Sequence, residues 1–380
     1  MIVAGEASGD AHAASLVRAI RESEPGSKFD FFGSTGAQMR DAGVESIVDS
    51  DDLAIMGILE VGRVLPKFWR AFRALKQAAL ARKPDAVILV DWPEFNLRLA
   101  RALHQKGLRV IYYISPQVWA WRSYRVRTIR RDIDLLLCIL PFEPEWYRQR
   151  GVSNAEFVGH PLTGEIHPRY GREEFCSIHK LDPLRPIIAL LPGSRRLEIE
   201  RILPSMLGAA SSINRLHPEI QFVLAIAAAR PIAEAEAIIA NHKDVPSEMR
   251  IVQNQTREAL FTADVAAIAS GTATLEAAII GTPFVMVYKE SAINWHTLGQ
   301  LITAEHFGLV NLIAGERLVT ELMQSDLTSG KLKEALIALL DKGHNESMRA
   351  RLHEAIASLG TGDASLHAAT AILSRAGDWE

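Results

Sequence analysis

Short apolar runs alternate with amphipathic stretches along almost the whole chain. IVAG (2–5), FDFFG (29–33), AVILVD (86–91), RVIYYIS (109–115) and DLLLCIL (134–140) read as a first series of strands. IIALLPG (187–193), IQFVLAIA (220–227), RIVQN (250–254), DVAAIAS (264–270) and FVMVYK (284–289) read as a second. Helix-length segments such as AHAASLVRAIRES (11–23) and EFNLRLARALHQKG (94–107) lie between them, the latter closed by Gly107. Strands alternating with helices of this size predict parallel sheets built from βαβ units. Unbroken apolarity inside the strands predicts sheets covered on both faces.

The alternation pauses at 159–186, a stretch rich in Pro, Gly and charge, which reads as the interdomain linker. Residues 331–380 are helical in pattern and free of strands. The expected fold class is therefore α/β, with two Rossmann-like doubly wound parallel-sheet domains facing a cleft and a helical C-terminus. The expected domains are 1–165, 166–345 and a helical tail 346–380 that packs back on the first domain or swaps to a second chain. Open α/β sheets bind ligands at the carboxyl ends of their strands, so ligand chemistry is expected in the turns there.

Composition narrows the function classes. The 380 residues are 48% hydrophobic and 23% charged, with a net charge of −3. That is a globular chain, and single cores stop growing near about 250–300 residues, which favours two domains. The slight negative balance argues against nucleic acid as the main partner. Cys138 and Cys176 are too few for a disulfide framework, and Cys138, inside LLLCIL, reads as a buried thiol. Neither a leader pattern nor an apolar run of about 18 residues is visible, so a cytoplasmic location is expected.

The turn LPGSRR (191–196) puts two arginines where a helix begins. A helix N-terminus carries partial positive charge, so cations belong there only if they point away or an anion intervenes. Gly193 and Ser194 let backbone N–H groups face such an anion; a plain turn with solvated arginines is the plainer reading. The hydroxyl-rich turn SGTATLE (270–276) follows another strand, with Ser270, Gly271, Thr272 and Thr274 permitting close backbone approach. Glu276 either complements the helix dipole or accepts from vicinal ribose hydroxyls. An anion site beside a ribose site describes a nucleoside diphosphate.

The first domain differs. GEASGD (5–10) carries Glu6 and Asp10, which repel phosphate and suit a hydroxyl-bearing ligand. Asp91 ends a strand in LVDWPEFN (89–96), the position of an N-cap and equally of a general base. ISPQVWAWRSYRVRTIRR (114–131) interleaves aromatics with arginines, a pattern compatible with nucleic acid, a sugar phosphate, a membrane surface or a snorkelling helix. In LPKFWRAFRALKQAAL (65–80), Leu65, Phe68, Trp69, Phe72, Leu75 and Ala79 share one helical arc flanked by Lys67, Arg70, Arg73 and Lys76. Such a helix either lies in a lipid interface, with Phe68, Trp69 and Phe72 towards the membrane, or faces a core. DSDD (49–52) reads as helix capping, His12 and His160 stand alone, and no metal site and no cofactor is expected.

Taken in order, GEASGD (5–10), LAIMGILEV (53–61), DWPEFN (91–96), SPQVWAWR (115–122), LPFE (140–143), GHP (159–161), LPGSR (191–195), SGTATLE (270–276) and NLIAGE (311–316) resemble the lipid A disaccharide synthase family, glycosyltransferases of the GT-B type. The resemblance implies transfer of diacylglucosamine from UDP to the primary hydroxyl of diacylglucosamine 1-phosphate (lipid X), with inversion, a β-1,6-linked disaccharide 1-phosphate and UDP as products. By motif position it implies Asp91 as base. Gly193, Ser194, Arg195, Ser270, Gly271, Thr272, Glu276 and Asn311 would hold UDP, and Glu6, Ser8, Asp10, Gln117 and Arg122 the acceptor side, with Arg122 on the 1-phosphate. It further implies peripheral association with the inner face of the inner membrane, and leaves a homodimer open. Ala13, Val310 and Glu94 stand where the family commonly has Gly, Pro and Asp. Two other readings stay open here. One is a different GT-B enzyme using UDP-N-acetylglucosamine, an epimerase or a peptidoglycan glycosyltransferase; the other is a non-catalytic nucleotide-sugar binder at a membrane surface.

Overall fold

The computed structural model describes residues 1–50, 61–228, 230–242, 244–246, 248–291, 306–377 and 379, with the backbone alone at 61–65. The chain divides into two compact units, Met1–Gly164 with Leu359–Glu380, and Glu165–Ser358. LAIMGILEV, but for Val61, and the last two residues of DSDD lie outside the described residues.

Unit 1 holds β1 (Ile2–Val3), β2 (Phe32–Thr35), β3 (Glu45–Asp49), β4 (Val87–Val90), β5 (Val110–Tyr113), β6 (Leu135–Cys138) and β7 (Ala155–Phe157). They form one sheet in the order β3-β2-β1-β4-β5-β6-β7, with parallel pairings. Its strand residues alternate between two cores. Val3, Leu89, Tyr112 and Leu136 join one, and Ile2, Ile88, Ile111 and Leu135 join the other. Both faces are thus covered, as continuous apolarity requires.

Unit 2 holds β8 (Ile187–Leu191), β9 (Gln221–Ile226), β10 (Met249–Gln253), β11 (Val265–Ala269), β12 (Phe284–Tyr288) and β13 (Thr320–Met323). Their order is β10-β9-β8-β11-β12-β13, again parallel throughout. This is the expected doubly wound α/β class.

The expected strands form, with local differences. FDFFG yields instead a strand at Phe32–Thr35. Gly33 permits it: a Cβ there would meet the Ile2 carbonyl oxygen at 1.7 Å. The Ser34 hydroxyl donates to the Ala4 carbonyl at 2.9 Å, so a polar pair continues the strand in a buried place. The stretch 159–186 is not bare linker, because Arg172–His179 is helical and buries Phe175 and Cys176 in the core of unit 2. Beyond residue 328 the described chain is helical, at Ser329–Leu340, Lys342–Ala357 and Ala364–Gly377.

Candidate active site

In each unit the strand order reverses at one place, and a doubly wound sheet opens a crevice there. In unit 1 the place is between β1 and β4, whose carboxyl ends lead into GEASGD and DWPEFN. Asp91 and Trp92 are both left-handed, at φ +46° and +50°, before Pro93 opens the helix Pro93–His104. Consecutive non-glycine residues in that region are strained, and the surroundings fix them. The Tyr112 hydroxyl donates to the Asp91 carbonyl at 2.6 Å. The Asn96 amide donates to the same carbonyl at 2.8 Å and to the Val90 carbonyl at 3.1 Å. The Trp92 ring stacks on Phe95 with centroids 4.2 Å apart. It also occupies the space a Cβ at Gly5 would need, 2.1 Å away, so Gly5 must be glycine.

This clamp leaves the Asp91 carboxyl half-buried at the strand end. Burial, helped by the negative charge of Glu6, raises its pKa above the usual carboxylate value, against a backbone hydrogen bond from Trp92. A raised carboxylate is the stronger base. Glu6 and Ser8 are exposed on the neighbouring turn. Asp10 is not available to a ligand. It is buried, and its oxygens accept from the backbone N–H groups of Gly36 (2.7 Å), Gln38 (2.8 Å) and Met39 (3.2 Å), capping the helix Ala37–Asp41.

Gln117 is exposed, whereas Trp119 is buried and donates from Nε1 to Glu143 at 3.0 Å. Arg122 stacks on Trp121 at 4.2 Å and pairs with Glu94 at 2.6 Å, and Arg125 holds the same carboxylate at 2.7 Å. Two cations thus share one acid.

Of the residues expected at a membrane, Phe68 and Phe72 turn inward from the helix Val61–Arg82. Phe68 lies 5.7 Å from Trp92 and 6.2 Å from Phe95, and Phe72 lies 5.9 Å from Phe95. Trp69 stays 59% exposed, with Arg73 over its ring at 5.5 Å. Phe68, Trp69, Phe72 and Phe95, with Glu94 and Arg98, line a groove of about 250 Å³. Among the described residues no helix is long and apolar enough to cross a membrane, and no group of three or more His, Cys, Asp or Glu could hold a metal ion.

In unit 2 the reversal lies between β8 and β11, which lead into LPGSRR and SGTATLE. Both turns wall a pocket of about 430 Å³ that Gly193, Ser194, Arg195, Ser270, Gly271, Thr272 and Glu276 all line. Gly193 (φ +121°) and Gly271 (φ +157°) take backbone conformations that L side chains avoid. The Arg195 side chain is 83% exposed. The arginines part at the helix start: Arg196 points forward along the helix Arg196–Leu216 to Glu200 at 2.7 Å. Glu276 accepts from Arg257 Nε at 3.2 Å, a partner the sequence did not reveal.

Asn311 does not line this pocket. It is fully buried, its amide donates to the Val319 carbonyl (2.9 Å) and to Glu321 (2.8 Å), and its oxygen accepts from the Val319 N–H (2.7 Å). Sequence reading also missed Glu198, which accepts from the N–H groups of Ser194 and Arg195 at 3.1 Å each. Its signal was visible as an acid three residues after the N-cap, the spacing of a capping box.

A family model for lipid-A-disaccharide synthetase matches residues 1–373. The lipid-A-disaccharide synthase of Geobacter sulfurreducens is 40% identical over 379 residues, spanning 99% of this chain and 97% of that protein. The one from Solibacter usitatus is 42% identical over 353 residues, spanning 93% and 90%. Among solved structures, a UDP-GlcNAc 2-epimerase from Neisseria meningitidis bound to UDP-GlcNAc superposes with a TM-score of 0.61 at 12% identity, covering 95% of this chain and 96% of that one. The calicheamicin glycosyltransferase CalG4 gives 0.57 at 15%, covering 96% and 94%. At such identities these two speak for the fold alone.

Proposed function

The chain belongs to the lipid-A-disaccharide synthetase family, hexosyltransferases of lipid A synthesis, and on that premise we propose which of its side chains carry the transfer. The family match sets aside the epimerase, the peptidoglycan glycosyltransferase and the non-catalytic binder.

In this reading unit 2 holds UDP-diacylglucosamine. The observation that carries it is the pocket of about 430 Å³ walled by both LPGSR and SGTAT, with the exposed Arg195 at its mouth. Arg195 and the Gly193–Ser194 turn take the diphosphate, Ser270, Gly271 and Thr272 the rest of the nucleotide, and Glu276 the ribose hydroxyls. Unit 1 holds lipid X through Glu6, Ser8 and Gln117, with Arg122 on its 1-phosphate. Asp10 and Asn311 spend their polar atoms on Gly36, Gln38 and Met39 and on Val319 and Glu321, and in this reading touch no substrate.

Asp91 removes the proton from the acceptor's primary hydroxyl as its oxygen attacks the anomeric carbon. The bond from that carbon to UDP breaks in the same step, which inverts the centre and requires no covalent intermediate. Negative charge develops on the leaving diphosphate, and Arg195 with the turn's N–H groups stabilises it, a charge-assisted bond being worth about 1.5–3 kcal/mol. Trp69 and its flanking cations dock the enzyme on the inner face of the inner membrane, and the aromatic groove receives acyl carbons.

The test is incubation of the purified chain with UDP-diacylglucosamine and lipid X, with and without EDTA. Disaccharide and UDP should form in equal amounts, undiminished by chelation; absence of both products would overturn the reading. Asp91→Asn should lower kcat by about 10²–10⁴ while UDP still binds. Normal turnover with weakened UDP binding would move Asp91 to the nucleotide.

A further inference from the structure

We propose that Glu198 is an internal stand-in for the donor's diphosphate: it holds the LPGSR turn when no nucleotide is bound and gives up its donors when a diphosphate enters. The inference rests on the reading of the unit 2 pocket as the UDP site.

Glu198 lies on that pocket's wall, one turn into the helix Arg196–Leu216. One of its oxygens accepts from the Ser194 and Arg195 N–H groups at 3.1 Å each, and the other lies 3.3 Å from Arg195 Nη1. Two backbone donors and a guanidinium around one anionic group are what a phosphate would meet at the start of a helix. The turn is shaped around this carboxylate. A Cβ at Gly193 would stand 2.6 Å from the nearer Glu198 oxygen, so the glycine makes room for it.

Two consequences follow from charge. With the carboxylate in place, the turn keeps its donors aimed and Arg195 near them, so little reorganisation precedes binding. An incoming diphosphate meets a negative charge that already holds its ligands, and Arg195 must exchange one anion for the other. Glu198 therefore weakens nucleotide binding while preparing the site for it, and it supplies the internal anion that speeds departure of UDP. Glu200, two residues on, pairs with Arg196 and serves as a nearby acid without this contact.

The experiment is calorimetric titration of the full chain with UDP, pyrophosphate and uridine. It compares the wild type, Glu198→Gln, Glu198→Ala, Arg195→Ala and the double variant Glu198→Gln/Arg195→Ala, with Glu200→Gln as control. A largely exposed charge pair is worth up to about 1 kcal/mol, so both Glu198 variants should bind UDP and pyrophosphate about two- to fivefold more tightly. Uridine affinity should not change. The gain should vanish in the Arg195→Ala background, and Glu200→Gln should show none. In turnover, Glu198→Gln should lower the donor KM without raising kcat. A purely structural cap predicts the opposite sign, so weaker or unchanged UDP binding by folded Glu198 variants overturns the proposal. A wild-type chain that binds no UDP removes the pocket reading itself, and the stand-in with it.

Discussion

Glu143 sits wholly inside unit 1, its carboxylate accepting from Trp119 Nε1 and from the N–H groups of Ile139 and Leu140. Burial outweighs these bonds and raises its pKa from 4.5 to about 7. His160 shows the reverse, burial and the charge of His12 lowering it from 6.5 to about 4. An acid with a raised folded pKa contributes stability below pH 4.5 that is lost as pH rises through 7. A histidine with a lowered one contributes stability above pH 6.5 that is lost as pH falls through 4. Each swing is on the order of 3 kcal/mol, and in the overlap they oppose each other. Relative to the wild type, Glu143→Gln should therefore lose stability as pH falls from about 7 to 5, and His160→Gln should gain it. Urea unfolding followed by tryptophan fluorescence checks this, since every tryptophan but Trp295 falls in unit 1. Parallel pH curves for all three proteins would refute the pairing. At this scale the sequence was legible where a strand end sets a side chain's place, as at Asp91 and Glu6. It was not legible where a distant backbone decides: Asp10 and Asn311 carry the right chemistry, but Gly36, Gln38, Met39 and Val319 consume it.

The helix Val61–Arg82 shows what periodicity can and cannot say. Phe68, Trp69, Phe72, Leu75 and Ala79 do share an arc, yet Leu75 and Ala79 are fully buried, Phe68 and Phe72 pack on Trp92 and Phe95, and only Trp69 is left largely exposed. A core-facing stripe and a lipid-facing one have the same period, so the partner helix Pro93–His104 decides between them. The element therefore divides by residue. Trp69→Ser should keep the stability of unit 1 and weaken binding to vesicles containing anionic lipid, measured by co-sedimentation. Phe72→Ser should instead lower unfolding stability by about 2–4 kcal/mol through the cavity and buried hydroxyl it creates. Loss of vesicle binding by Phe72→Ser alone, with Trp69→Ser binding normally, would reverse the assignment. The same dependence on neighbours explains the strands that went unread. ESIVD, AEF and TELM became β3, β7 and β13, each an edge strand. An edge strand has one ladder partner and an exposed flank, so its sequence never shows the continuous apolarity that marked the central strands.

At the scale of the molecule, the chain leaves unit 1 at Gly164 and returns to it at Leu359. The outgoing and returning segments touch through glycines. The His160 N–H donates to the Leu359 carbonyl at 2.8 Å, and a Cβ at Gly164 would stand 2.8 Å from the Gly362 carbonyl oxygen. Beyond this crossing the helix Ala364–Gly377 lays Ala368, Ala369 and Ile372 into the core that Leu16, Val17 and Ile20 build from the helix Ala7–Ser23. That second helix begins inside GEASGD, with Glu6 at its N-cap, so the last residues of the chain brace one wall of the crevice where Asp91 and Glu6 meet. The helical character of this tail was legible from its period. Its destination was narrowed only to the first domain or a second chain, and the point at which it leaves unit 2, after Ser358, was not legible, because small apolar residues at helical spacing fit either unit. Deleting residues 359–380 should therefore expose that core face and cost unit 1 on the order of 3 kcal/mol or more, with glycosyl transfer lost. Residues 359–380 lie outside unit 2, whose internal contacts the truncation leaves intact. UDP affinity should accordingly stay within about twofold, since sites that share no partners behave additively. Hydrogen exchange read alongside UDP titration separates the outcomes: faster exchange confined to Ala7–Ser23 and its neighbours, with UDP binding intact, is the expected pattern. Uniform protection in unit 1 after the deletion would show that the tail contributes nothing to the wall behind Asp91.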